Sequence, residues 1–457
     1  MRRKPGRDDA GKKAIRYAEF YGGKIATVPK VPITSLSDFG VWYTPGVAAV
    51  SEEIKRAVDL SFEYTDRSNS IAILTDGTRV LGLGDVGPEA ALPVMEGKAL
   101  IYKYLGGVDA IPIPIRVSTE DEFIRTAEAL EPAFGGINLE DISSPKCFDL
   151  LHRLRTKLKI PVWHDDQQGT AGVVLAGLLN ALEVTERRLK GSEVVLLGAG
   201  AANIAIARLL IEAGASSGSL VLVDSKGVLH AERSDMDSLR STNKWKYDLA
   251  MKTNRRGVRG GLREALRGAD ALIAASSPGP NIVKKSDVEA MKERAIVFLL
   301  ANPVPETWPQ VARSGGAEVV ATGRSDFPNQ VNNSLLFPSL FRGVLDVRAR
   351  SISDGMAIAA AKELAAFARE KGLSATSIIP TMMDWDVFPR VAAAVGIEAQ
   401  REGLARRSIG RSELLHRAKT VVDESRMVAQ ILVENGLILT PPTDALPRRP
   451  RTRGAQT

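Results

Sequence analysis

Two places in the chain set carboxylates side by side: Glu140-Asp141 in "GGINLEDISSPKCF" and Asp165-Asp166 in "VWHDDQQGTA". Each pair follows an apolar run and precedes turn residues. Adjacent carboxylates repel, and burial raises the pKa of at least one; a cation removes both difficulties. Neighbours on a regular strand face opposite sides, so a pair reaches one point only where the chain leaves the strand. Three or four carboxylate oxygens without a Cys or His cluster suit a hard octahedral ion, Mg²⁺ or Mn²⁺. His164 fits a supporting place better than a ligand position. The ordinary alternative for each pair is a solvated turn or a helix start with its first-turn acid. Two pairs in matching settings leave both explanations open.

Lys98 has Val94, Met95, Ile101 and Tyr102 three and four residues away, all on its own face if 90–105 is a helix. An ammonium on an apolar face loses hydration, which lowers its pKa toward that of a general base. A lysine that snorkels past its neighbours to water is the commoner outcome. Tyr43 stands just before Thr44-Pro45-Gly46, a helix start, where packing of the ring alone is the ordinary explanation.

The stretch "EVVLLGAGAANIAIARLL" sets Gly198, Ala199, Gly200, Ala201, Ala202 and Asn203 between an expected strand and an expected helix. This is the setting of a dinucleotide fingerprint, with Asn203 where the third glycine would stand. The first glycine permits the tight turn, and the second lets backbone approach a pyrophosphate at a helix N-terminus. Asn203 is expected only to loosen helix–strand packing. Asp224 ends the next strand, 26 residues after Gly198. It can accept hydrogen bonds from an adenosine ribose, which favours NAD over NADP, although Lys226 and His230 could meet a 2′-phosphate.

The elements that must position these groups follow from pattern. Residues 14–160 mix helix and strand. "SIAILTD" and "RVLGLGD" read as strands about a turn at Asp76-Gly77, "EAALPVMEGKALIYKYLGG" as a helix ending at paired glycines, and "VDAIPIPI" as an edge strand. Residues 161–345 alternate strand and helix ("SEVVLLG", "SLVLVD", "ADALIAASS", "AIVFLLANP", "AEVVATG"), the pattern of a doubly wound parallel sheet, with a polar insertion at about 230–262 carrying a helix. Residues 346–440 read mostly as helix. The expected fold class is α/β: a mixed N-terminal domain, a Rossmann-type domain and a helical C-terminal region.

Composition sets the class. At 44% apolar and 25% charged, the 457 residues read as globular, with no apolar run long enough for a membrane span. No apolar segment follows the basic N-terminus, so no secretory signal is read, and one cysteine, Cys147, allows no intramolecular disulfide; a cytoplasmic setting is expected. The net charge of +7 resides in two tails, 1–13 and 441–457, which are expected to be disordered; residues 14–440 are neutral. A neutral body is a poor electrostatic footprint for nucleic acid.

Taken together, the motifs resemble the malic enzymes, specifically the short bacterial and archaeal type. The resemblance runs from about residue 20 to 400 and rests on "YTPGVA", "LTDGTRVLGLGDVGPEAALPVMEGKALIYK", "GGINLEDISSPKCF", "VWHDDQQGTA", "LLGAGAANIAIARLL", "LVDSKGVL", "LANPVPE" and "FPNQVNNSLLFP". It implies oxidative decarboxylation of (S)-malate to pyruvate and CO₂ with NAD(P)⁺ and a divalent metal. It implies that Glu140, Asp141 and Asp166 hold the metal and that Asp165 is an acid near the lysine. By the same resemblance Lys98 takes the hydroxyl proton, Tyr43 protonates the enolpyruvate carbon, and Asn302 and Asn333, with Asn332 beside them, hold substrate carboxylates. Asn302 is also counted among the cofactor contacts. A homodimer or higher homo-oligomer is implied by resemblance only. Arg79 departs from the short forms, which often carry a small residue there; it could clamp a malate carboxylate, an effector or a surface acid. A malolactic-type or other 2-hydroxyacid decarboxylating activity on the same scaffold stays open, as does a non-catalytic nucleotide-sensing or nucleic-acid-binding role using the basic tails.

Overall fold

A computed structural model describes residues 7–441. Four parallel strands form the first sheet in the order β2-β1-β3-β4: β1 (Ser70–Thr75), β2 (Asp109–Pro114), β3 (Gly136–Leu139) and β4 (Val162–His164). β1 and β3 are buried along their whole length, as expected of parallel strands covered on both faces. β2 lies at the edge, where Pro112 and Pro114 need only the ladder on one side. The helix Gly87–Gly106 joins β1 to β2 and ends where Gly107 turns left-handed. The helix Lys146–Lys157 joins β3 to β4.

The second sheet has the order β10-β9-β8-β5-β6-β7: β5 (Val194–Leu197), β6 (Leu220–Asp224), β7 (Gly227–Val228), β8 (Ala271–Ala274), β9 (Ala295–Leu299) and β10 (Ala317–Thr322). All pairs are parallel except β6–β7. The strand order reverses between β5 and β8, so the crevice for a ligand opens at the carboxyl ends of those two strands. The helix Thr170–Val184 is apolar almost all round, and it is buried between this domain and the helix Asp354–Glu370. Among the described residues, no helix is long and apolar enough to cross a membrane.

Several expectations change. Residues 7–13, expected as tail, lie in the helix Arg7–Tyr21; residues 1–6 and 442–457 fall outside the described part. "RVLGLGD" is a closed turn, not a strand: Leu81 takes φ 48° and Val80 N–H donates to Gly84 O at 2.9 Å. β4, which lies after 161, pairs with β3 and belongs to the first sheet. The insertion carries two helices, Met236–Thr242 and Lys244–Lys252. The C-terminal region is helical, as expected, and it packs on the N-terminal domain. The helices Phe337–Asp346 and Arg411–Glu434 pack on Gly87–Gly106, and Ser425 Oγ donates to Lys103 O at 2.9 Å.

Candidate active site

The two acidic pairs meet. One carboxylate oxygen from each of Glu140, Asp141 and Asp166 lies within 4.8 Å of the others. The pairs reach one point because the chain leaves each strand where they begin. After β3, Asp141 adopts φ 54°, left-handed for a residue with a side chain. After β4, Asp165–Gly169 form a π-turn. The Asp166 carboxylate accepts from Asp141 N–H at 2.8 Å, which locks the two turns together. Burial, then the neighbouring Asp166, pushes Asp141 up to about 8, and burial likewise raises Glu140 and Asp166. Asp141 Oδ2 is buried without a hydrogen-bond partner. Three crowded, uphill carboxylates and an orphaned oxygen fit a hard divalent cation. His164 Nδ1 stands 3.7 Å from Asp166, and burial pushes the imidazole down to about 3, so it is neutral there.

Lys98 is buried in the same cluster. Its Nζ pairs with Asp165 and stands 3.0 Å from Glu140 Oε1 and 4.0 Å from the centre of the Phe337 ring. It does not snorkel. Burial pulls its pKa down, but Asp165, Glu140 and Asp166 together carry it above the ordinary lysine value. The expectation of a lowered pKa counted the apolar helix face and missed the acids opposite it. Asp165 is also held by Trp163 Nε1, which donates at 3.1 Å. Gly169 permits this arrangement, since a Cβ there would stand 1.8 Å from Asp165 Oδ1 and 3.3 Å from Asn333 Cβ.

The glycine loop lies at the carboxyl end of β5. Gly198 has φ 98°, and a Cβ on it would meet Ala275 O at 2.4 Å, so β5 and β8 approach closely only because it is glycine. Gly200 has open space before it and caps the helix Ala201–Glu212, with Ala199, Ala201 and Ala202 completing a turn of small side chains. Asn203 does not loosen the packing. Fully buried, it donates Nδ2 to Leu197 O at 2.7 Å and Gly198 O at 2.9 Å, tying helix to strand. Asp224 ends β6 as expected, but its carboxylate is occupied: Arg233 Nη1 donates at 2.9 Å, Lys226 N at 2.8 Å, and Lys246 pairs with it. Burial pushes Asp224 up, but these contacts outweigh it and hold the acid below its usual value.

The remaining expected residues divide. Arg79 is exposed; its N–H donates to Asp141 O at 3.0 Å and its charge bears on Asp166. Asn302 is exposed on the loop after β9, its carbonyl 3.0 Å from where a Gly82 Cβ would stand, so the Arg79 turn and the Asn302 loop are neighbours. Asn333 stands beside the Asp165 turn, whereas Asn332 caps residues 333–335 by accepting from Ser334 N at 3.0 Å. Tyr43 is not brought in: it ends the helix Leu36–Trp42 and is 72% exposed. Sequence reasoning missed Asn138, Trp163, Gly169 and Phe337. Asn138, an amide inside an apolar strand, was the one visible signal among them.

Comparisons with known proteins identify the family. The family description "Malic enzyme, N-terminal domain" matches residues 22–155, and "Malic enzyme, NAD binding domain" matches residues 167–400. The chain is 46% identical over 386 residues to a NAD-dependent malic enzyme of Geobacillus stearothermophilus, covering 84% of this chain and 78% of that one. It is 43% identical over 414 residues to a bifunctional malic/malolactic enzyme of Bacillus subtilis, covering 90% and 99%. The malic enzyme structure of Entamoeba histolytica superposes with a TM-score of 0.92 at 44% identity, covering 95% of this chain and 90% of that one. The two family matches together cover most of the chain, and with relatives at these identities they place it in the malic enzyme family.

Proposed function

We propose that this protein oxidatively decarboxylates (S)-malate to pyruvate and CO₂ with reduction of NAD(P)⁺, dependent on Mg²⁺ or Mn²⁺. The observation that carries the reading is the convergence of Glu140, Asp141 and Asp166 within 4.8 Å, with the Lys98 amine 3.0 Å from Glu140. A bound divalent ion would polarise first the malate hydroxyl and then the ketone, and a bound nicotinamide would accept the C2 hydride. Glu140, Asp141 and Asp166 would hold that ion. Glu140 and Asp166 are two of the three acids that keep the proton on Lys98; once their charge is spent on a cation, Asp165 alone remains, and the amine can act as a base. Lys98 then takes the hydroxyl proton as hydride leaves C2. Loss of CO₂ leaves enolpyruvate, and Tyr43 protonates its C3. Arg79, Asn302 and Asn333 bind the substrate carboxylates.

Tyr43 can serve only if its exposed segment is covered, and a homodimer supplies the cover. The helices Leu36–Trp42 and Val47–Arg56 bury no residue against their own chain. Leu36 is 87% exposed, and Leu437, two residues before the Leu439 carbonyl that accepts from Tyr21 Oη at 2.7 Å, is 73% exposed. Helices this short need an apolar partner to persist. We read the second copy as that partner and its site as the destination of Tyr43.

For the cofactor, the occupied Asp224 weakens the case for NAD. Arg233 and Lys246 on Asp224, with Lys226 on the neighbouring Asp235, favour a 2′-phosphate, hence NADP. A cytoplasmic setting goes with the reading, since a lone cysteine leaves no internal disulfide to form.

The test is incubation with malate and Mn²⁺, following reduced-nicotinamide absorbance with each cofactor. Net reduced cofactor and pyruvate support the reading. Lactate without reduced cofactor supports the malolactic alternative. Neither product, with a salt-sensitive gel shift lost on removing residues 441–457, supports the nucleic-acid alternative.

A further inference from the structure

Glu140 is held from a direction that the roles above do not use. Its Oε1 faces Lys98, and its Oε2 accepts from Asn138 Nδ2 at 3.0 Å. Asn138 is fully buried in β3, and its Oδ1 accepts from Tyr102 Oη at 2.9 Å. Tyr102 is fully buried on the helix Gly87–Gly106, one turn beyond Lys98, against the rings of Phe337 (4.6 Å) and Phe341 (5.5 Å). A tyrosine hydroxyl and a side-chain amide can each turn about. The chain of bonds removes that freedom: donation by Tyr102 fixes Oδ1, which leaves the Asn138 NH₂ facing the carboxylate. With the amide reversed, an oxygen would face Glu140 and repel it.

We propose that Tyr102 is a positioning residue, acting through Asn138 to aim the Glu140 carboxylate at the divalent cation. The inference rests on the reading of Glu140, Asp141 and Asp166 as the metal trio. One helix thus carries both the proton acceptor and the group that orders the metal ligand beside it. Groups bonded directly to a metal ligand, as Asn138 is to Glu140, weaken metal binding by roughly 10- to 100-fold when removed.

The test titrates Mn²⁺ alone into the full-length protein, following free Mn²⁺ by electron paramagnetic resonance, in the parent, Tyr102→Phe, Asn138→Ala and the double variant. Asn138→Ala is expected to bind Mn²⁺ roughly tenfold more weakly, and Tyr102→Phe to lose about threefold or more. The double variant should be no weaker than Asn138→Ala alone, because the tyrosine acts through the amide. Fluorescence titration with NADP should be unchanged, and kcat at saturating Mn²⁺ should stay within roughly threefold of the parent while the Mn²⁺ requirement rises. If Asn138→Ala does not fold, Asn138→Ser takes its place in the cycle. Parental Mn²⁺ affinity in Tyr102→Phe, or additive losses, overturns the proposal. Asp166→Asn runs alongside: if it too binds Mn²⁺ normally, the metal trio itself is wrong, and if it alone fails to bind, only the role of Tyr102 is lost.

Discussion

Asp165 and Asp166 are neighbours in the chain and part company in space. Asp165 turns to Lys98 and Trp163, and Asp166 turns to Asp141 and the acidic trio. The π-turn that begins at Asp165 makes the division: one acid holds the amine, the other faces Glu140 and Asp141. Lys98→Ala should therefore lower kcat by about 10²-fold or more while leaving NADP binding by fluorescence near the parental value. A comparable loss of NADP affinity would place the lysine elsewhere.

The raised acids make the metal-free protein pH-sensitive, and the sign follows from Asp141, which burial and Asp166 push up to about 8. Its folded pKa lies above the unfolded value of about 3.9, so its stabilisation is fully present below the latter and is lost as pH rises through about 8. The melting temperature of the metal-free protein should fall between pH 5 and pH 8, and Mn²⁺ should raise it more at the alkaline end. Asp166→Asn should shrink that Mn²⁺ increment. An equal increment in parent and variant removes Asp166 from the ligands.

Asn203 fills the third-glycine position and hydrogen-bonds two carbonyls at the end of β5. Asn203→Gly restores the usual motif yet should cost about 2 kcal/mol, from two lost buried hydrogen bonds and a glycine in the helix. Urea unfolding reads this as a lower midpoint. An unchanged midpoint would show that the amide only fills space.

The cations around Asp224 bear on cofactor choice. Calorimetry with adenosine 2′,5′-bisphosphate and adenosine 5′-monophosphate isolates the 2′-phosphate from the chemistry. The bisphosphate should bind at least about tenfold tighter, and Lys246→Ala should narrow the gap. Equal binding of the two would return the site to NAD.

These cases show where sequence sufficed. The acids, the lysine and the glycine turn were legible because each sits at a strand end or on a helix face whose period is local. What local period cannot show is what lies opposite. The Lys98 face read as apolar because Asp165 and Glu140 come from other strands. Asp224 read as free because Arg233 and Lys246 reach it from an insertion whose path has no pattern. "RVLGLGD" read as a strand because its apolar alternation outweighed its glycines, whereas the backbone turns left-handed at Leu81.

The exposed Tyr43 yields the sharpest test of the dimer. If each site takes Lys98 from one chain and Tyr43 from the other, Lys98→Ala and Tyr43→Phe are each inactive alone but complement when mixed. A mixed dimer then has one site with both faults and one with neither. If both residues come from the same chain, every site in the mixture keeps one fault and no activity returns. The two variants should be unfolded together, refolded and assayed against each refolded alone, with light scattering to confirm the dimer. Recovered turnover in the mixture only assigns Tyr43 to the partner's site, and a dead mixture of well-formed dimers excludes it. The argument for recovery is physical: two short helices with no fully buried residue, flanking a 72% exposed tyrosine, need an apolar cover to persist.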